Sequence, residues 1–153
     1  MAEIEKRIAE LGLQLPEVPV PVASYVNCVR TGNLVFLSGG LPVLGDVRIV
    51  GKAGSQVPIE QAQEAARMIV MNRLSVLKAE LGDLDRVARV VTVNGFVNCG
   101  PEFTQHPAVI NGASDLLVSI FGEKGKHSRT AVGVPSLPFD VTVELNMIVE
   151  VAE

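Results

Sequence analysis

The chain has 153 residues and a formal net charge of −4, and it is 48% apolar but only 4% aromatic. That length suits one domain able to bury about two thirds of the surface exposed by its unfolded form, with a core of Val, Ile, Leu and Ala. An acidic chain with no Trp, one Tyr and no basic stripe lacks the charge and the stacking platforms of a nucleic-acid binder.

The N-terminus is charged and amphipathic. Ile4, Ile8 and Leu11 recur at helical spacing and Gly12 follows as a stop, which predicts a short helix over residues 2–12. This start has no apolar core of a signal peptide, and no apolar run approaches the ~20 residues that span a bilayer. Pro16, Pro19 and Pro21 then forbid helix and predict an extended segment over 13–22. Tyr25–Val29 and Leu34–Ser38 read as two strands around a Gly- and Asn-bearing turn at 30–33. Gly39 and Gly40 follow directly. They mark either a bulge or a close approach to the backbone. Residues 45–54 are glycine-rich and read as a surface loop or short edge hairpin.

Pro58 opens the clearest helix, where Ile59, Ala62, Ala66, Ile69, Val70, Leu74, Leu77 and Leu81 form one apolar stripe that ends at Gly82. Val87–Phe96 is a β-branched run too apolar for a strand with a wet face. A second helix is predicted over Pro107–Phe121, capped by Gly122. Arg129–Val134 and Val141–Val151 are the last two strands, and the final one alternates Val141, Val143, Leu145, Met147 and Val149 against Thr142, Glu144, Asn146, Ile148 and Glu150. The order is β-β-α-β-α-β-β, an α+β single domain over 1–153 with two helices on one face of its sheet. The uncovered face must meet solvent or another subunit, a reason to expect an oligomer.

Few residues advertise chemistry. There is no phosphate loop, no nucleophile elbow and no HExxH, and Cys28 and Cys99 lack a metal-binding spacing. The default reading is a reduced, cytoplasmic, metal-free protein. His106 and His127 read as surface histidines, and Lys124 and Lys126 as a solvated loop. Arg129, at the mouth of a strand of small residues, can clamp a carboxylate through two parallel hydrogen bonds, although spacing alone favours an ordinary ion pair with a nearby acid. Glu144 can position water or act as a base, and pattern alone favours a solvated side chain.

The ordered pieces carry more. Arg129-Thr-Ala-Val-Gly-Val, Leu137-Pro138 and Val141-Thr-Val-Glu144-Leu together resemble the C-terminal signature of the Rid (YjgF-like) family, the reactive imine/enamine intermediate deaminases. Upstream, Tyr25-Val, Leu37-Ser38-Gly39 with Leu41-Pro42, Asn72, and Leu81-Gly82-Asp83-Leu84 leading into Val87–Val93 fit the same family, so the likeness runs from about Tyr25 to Val151. The resemblance implies a chorismate-mutase-like fold of the bacillus type, a homotrimer and three clefts between subunits. In deaminating members an arginine binds the carboxylate of a 2-imino acid, and water attacks the imine carbon to release ammonia and a 2-keto acid. Carried over by position, Arg129 is the carboxylate clamp, Glu144 activates or orients the water, and Tyr25, Ser38, Gly39 and Asn111 line the pocket. No metal or organic cofactor is implied, because imine hydrolysis asks mainly for positioning.

The chain also departs from the family. Ala131 stands where a Cys commonly follows the arginine, and Gly40 stands where a Gln commonly follows Ser-Gly. The segment Asn98–Pro107 differs from the commonest members, which marks a divergent subgroup. The first expectation is therefore an imine or enamine deaminase acting on a small carboxylate-bearing metabolite. The alternative is a non-catalytic trimer that binds such a metabolite at Arg129. An RNA-directed role is disfavoured by charge and composition, and no membrane partner is expected.

Overall fold

The computed structural model describes residues 2–153. Helix α1 (Glu3–Glu10) is followed by the extended segment, then strands β1 (Cys28–Thr31) and β2 (Leu34–Gly40) and a small hairpin, β3 (Val43–Leu44) and β4 (Val47–Arg48). The long helix α2 (Ile59–Leu81) leads to β5 (Val87–Asn98), helix α3 (His106–Phe121), β6 (Ser128–Val134) and β7 (Val143–Val151). No helix among the described residues is long and apolar enough to cross a membrane.

One five-stranded sheet, in the order β1-β2-β7-β5-β6, carries the fold, and β3 and β4 pair separately beside it. Every contact in the large sheet is antiparallel except β5 with β6, which run parallel because α3 carries the chain back between them. The last two strands are neighbours in sequence but not in space. β5 lies between them, pairing with β6 on one side and β7 on the other.

Burial along β7 alternates strictly. Val143, Leu145, Met147, Val149 and Val151 are buried, while Glu144, Asn146, Ile148 and Glu150 are half-exposed. The buried set meets α2 and α3, which lie side by side over one face, α2 against β2 and β7 and α3 against β5 and β6. Aliphatic side chains fill the space between, including Ile69, Leu74, Leu77, Ile110 and Leu117. Gly112 lets the helices meet closely, because a Cβ there would be driven into the Gln63 backbone carbonyl of α2.

Helix α1 docks by Ile4 and Ile8, both buried, and by a ring of polar ties. Its first turn lacks a side-chain cap of its own. The Asp85 carboxylate supplies one from across the chain, accepting from the backbone N–H groups of Glu3 at 2.9 Å and Ile4 at 2.8 Å.

Two strand starts fall two residues or more from the sequence pattern. The first strand begins at Cys28, so Tyr25 lies ahead of it in an irregular bend. The last strand begins at Val143, because Val141 is taken by a bridge to Val50 and the Thr142 hydroxyl donates to the Gly51 carbonyl at 2.8 Å. Both shifts arise from tertiary hydrogen bonds that local pattern does not encode.

Gly112→Ala is expected to destabilise the fold by about 1–3 kcal/mol, the usual cost of overpacking a tight contact, with a lower midpoint in urea unfolding. An unchanged midpoint would show that the helix contact yields without strain.

Candidate functional site

The pairing of β2 with β7 is irregular where the chemistry gathers. Leu37 faces Met147 and Gly40 faces Leu145, so three steps along β2 match two along β7 and one extra residue bulges out at Ser38-Gly39. The bulge places a residue without a side chain directly over Glu144. A Cβ on Gly39 would meet the Glu144 carboxylate and push it aside, so glycine leaves that group in its present position. Gly40 is equally constrained from the other face. A Cβ there would lie 2.6 Å from Ile69 Cγ2 and 2.8 Å from Arg73 Nε. The departure at Gly40 is thus tied to Arg73, since the arginine occupies the space that a larger residue would need.

Ser38 holds the neighbouring segment in place. Its hydroxyl donates to the Val26 carbonyl at 2.6 Å, and its N–H donates to the Asn27 carbonyl at 2.9 Å. These bonds lay the bend carrying Tyr25 beside the bulge. The resulting open pocket is lined by Tyr25, Ser38, Gly39, Leu41, Phe139 and Glu144, among others. Burial pushes the Glu144 carboxyl above its ordinary pKa, and no cation in the protomer opposes that shift.

Phe139 was not marked by the sequence pattern. It and Asp140 both adopt left-handed backbone, with φ of 57° and 60°. For a bulky residue such as Phe this is strained, and the surroundings must hold it there. They do so through Asn98, whose side-chain amide donates to Asp140 Oδ1 at 2.9 Å and to the Val141 carbonyl at 3.1 Å. The turn that results lifts the Phe139 ring to the rim of the pocket. Nothing local in the sequence signals this, because the constraint comes from the end of β5.

Arg129 and Asn111 lie elsewhere. Arg129 pairs in register with buried Val93 and points to the helix side of the sheet, whereas Glu144 pairs with Phe96 on the opposite face. The Arg129 guanidinium donates from Nη1 to Asn111 Oδ1 at 2.7 Å and to Ser114 Oγ at 3.2 Å. Ser114 is oriented in turn by His127. The His127 Nδ1 lies 2.6 Å from the Gly125 carbonyl, which can only accept, so Nδ1 carries the proton and Nε2 accepts from the Ser114 hydroxyl at 2.9 Å. The histidine that read as an ordinary surface residue therefore anchors the arginine's support. Of the basic cluster, Lys126 pairs with Glu123 at an exposed corner.

The structure thus divides the candidate residues into two groups. Tyr25, Ser38, Gly39 and Glu144 share one pocket, and Arg129 with Asn111 forms a second patch at the β6 edge, on the other face of the sheet. Within one protomer Glu144 and Arg129 do not meet. Among the described residues no cluster of three or more His, Cys, Asp or Glu side chains is placed to hold a metal.

This fold, with its five-stranded mixed sheet, its bulge at the glycine pair 39–40 and two helices over one face, has a chorismate-mutase-like α+β architecture. The family model described as "YjgF/chorismate mutase-like, putative endoribonuclease" matches residues 5–151. The chain belongs to this YjgF/Rid family. It is 43% identical over 150 residues to Protein TCP17 of Trypanosoma cruzi, covering 96% of this chain and 93% of that one. It is 30% identical over 140 residues to a 2-iminobutanoate/2-iminopropanoate deaminase of Dermatophagoides farinae, covering 90% and 93% of the two chains. A crystal structure of an Agrobacterium tumefaciens protein of unknown function superposes with a TM-score of 0.91 at 44% identity, covering 97% of this chain and 92% of that one.

The raised pKa of Glu144 has a consequence for stability. The folded state holds the proton more tightly than the unfolded chain, so ionising Glu144 erodes stability as pH rises from the ordinary carboxylate range through the folded value. Glu144→Gln is expected to melt above the wild type at about pH 8, with the gap closing by about pH 3, where the carboxyl is protonated in both states. A gap that does not depend on pH would mean that the carboxylate is solvated.

Proposed function

We propose that this protein is a homotrimeric hydrolase that deaminates 2-imino or enamine acids in clefts between subunits. The observation that carries this reading is the division just described. Each protomer has a pocket with an acid and no cation, and a cation patch with no acid. A second copy that sets its Arg129 against the first copy's Glu144 pocket completes both. The half-exposed sheet face, with Phe36 and Val132 each about 41% accessible, gives such copies an apolar surface to pack on. The family relative named as an imine deaminase supports the chemistry.

In this reading Arg129 grips the substrate carboxylate through two N–H groups, with Asn111 and Ser114 holding the guanidinium in plane. The imine carbon then lies over Gly39 and Glu144. Water adds to the carbon of the protonated imine, C=NH2+, as Glu144 takes one water proton, and the nitrogen becomes the amine of a carbinolamine. Glu144 returns that proton to the nitrogen, and as the C–N bond breaks the carbinol hydroxyl gives its proton back to Glu144, which releases ammonia and the 2-keto acid. Burial raises the proton affinity of the Glu144 carboxyl, which suits a group that must both accept and return a proton. Ala131, two residues after Arg129, offers no nucleophile, and the reading requires none. An RNA-directed role is not proposed, given the net charge of −4.

The assay generates 2-iminopropanoate or 2-iminobutanoate and follows loss of the semicarbazide-trapped imine. Arg129→Ala is expected to lower kcat/KM by about a hundredfold or more, the effect of losing two charge-assisted hydrogen bonds, without lowering the melting temperature. A wild type that does not accelerate the hydrolysis would leave a metabolite-binding trimer as the better reading.

The shared cleft has a sharper test. Arg129→Ala and Glu144→Gln are each expected to be nearly inactive alone. Coexpressed in equal amounts, they should recover activity in about a quarter of the clefts, those that combine two intact walls from different subunits. No recovery in mixed trimers would place both residues in one protomer's site.

A further inference from the structure

A second cavity, of about 510 Å³, lies on the helix side of the bulge beneath the proline-rich segment 16–22. Two side chains fasten that segment over it. The Ser75 hydroxyl donates to the Pro16 carbonyl at 2.7 Å, and the Asn27 amide donates to the Pro19 carbonyl at 2.7 Å. The walls are largely apolar, with Val18, Pro19, Leu41 and Leu44 among them, and Asn72 and Arg73 of α2 form the floor.

Arg73 is the unexplained group. It is only 4% exposed, and no carboxylate lies within ion-pair range of it, the ion pairs among the described residues all involving other cations. Its Nε donates to Asn72 Oδ1 at 2.9 Å and its Nη1 to the Ser38 carbonyl at 3.0 Å, which locks the guanidinium in orientation. Nη2 has no protein partner among the described residues. Among the described residues no side-chain nitrogen or oxygen is both sealed from solvent and unpartnered, so Nη2 keeps some exposure, and Arg73 lines the cavity. Burial pushes the guanidinium's pKa down, and the groups that resist are the Tyr25 hydroxyl and the Cys28 thiol rather than an acid. A desolvated cation without a counter-ion is costly, and an anion bound beside it offsets that cost.

We propose that this cavity binds an amphipathic monocarboxylate, with the carboxylate on Arg73 and an apolar body beneath the proline segment. One negative charge suits the site better than two. Arg73 is the only cation on the floor, Arg48 is exposed at the mouth, and Glu17 on the wall repels a second anionic group. The volume suits a ligand of about six to ten carbons. The site is distinct from the Arg129 clamp and stands whether or not the protein is a deaminase. The two pockets share Tyr25, Gly39 and Phe139 as a common wall, so an occupant here borders the proposed cleft.

The test uses phenylacetate and its uncharged amide, phenylacetamide, titrated calorimetrically into Arg129→Ala protein, in which the other carboxylate clamp is gone. The acid is expected to bind at least about tenfold more tightly than the amide, as one charge-assisted contact requires. That preference should vanish when Arg73→Met is added. Equal binding of acid and amide, or a preference that survives Arg73→Met, overturns the proposal. Should the double variant fail to fold, wild-type crystals grown with 4-bromophenylacetate decide the matter. An anomalous bromine peak between segment 16–22 and α2 is expected, and its absence there overturns the assignment.

Discussion

The bulge at Ser38-Gly39 is the constraint on which the rest depends. A regular β2 would turn alternate side chains to the two faces and fill the space that the site occupies. The extra residue, with glycines at 39 and 40, leaves both faces bare at one point. On the open face the Glu144 carboxylate moves in against Gly39. On the helix face Arg73 and Ile69 move in against Gly40. Two pockets of opposite character, one acidic and one cationic, therefore sit back to back across two residues of backbone.

The surrounding bonds serve to hold that thin wall still. Ser38 ties it to the Tyr25 bend through the Val26 carbonyl, and Arg73 ties it to α2 through the Ser38 carbonyl. Asn72 bonds the Leu41 carbonyl at 2.8 Å just beyond the glycines. The Arg73 bond satisfies a carbonyl of the bulge itself, and the other two fix carbonyls of the segments on either side of it. A local break in the sheet is thereby converted into fixed geometry. Asn98 does the same for the left-handed turn at Phe139 and Asp140, using the end of β5 to hold a conformation that the turn residues alone would abandon.

Much of the architecture was legible because it follows from periodicity. The apolar stripe of α2 and the strict alternation of β7 form as their patterns require. Strand β5, read as a strand without a wet face, instead buries one face in the protomer and leaves Arg89 exposed and Val91 and Asn94 half-exposed on the other. Boundaries were less legible at Tyr25 and Val141, where bonds to distant loops override local preference. The candidate residues themselves were found through an ordered set of short motifs rather than through any one spacing. Phe139, Ser114 and Arg73 escaped notice for a common reason. Their importance comes from what they touch, and a helix arginine or a loop phenylalanine looks ordinary until its neighbours are known.

By itself, then, the sequence determined the class of fold, the family, and the residue types available for chemistry, because hydrophobic period and motif order are properties of the chain alone. Only the tertiary structure decided which of those residues meet. Strand order sends β6 to the far edge of the sheet and turns Arg129 to the helix side, while β7 turns Glu144 to the open face. Pairing register and face are settled by packing across the whole sheet, so two residues fifteen positions apart in one signature end on opposite sides of it.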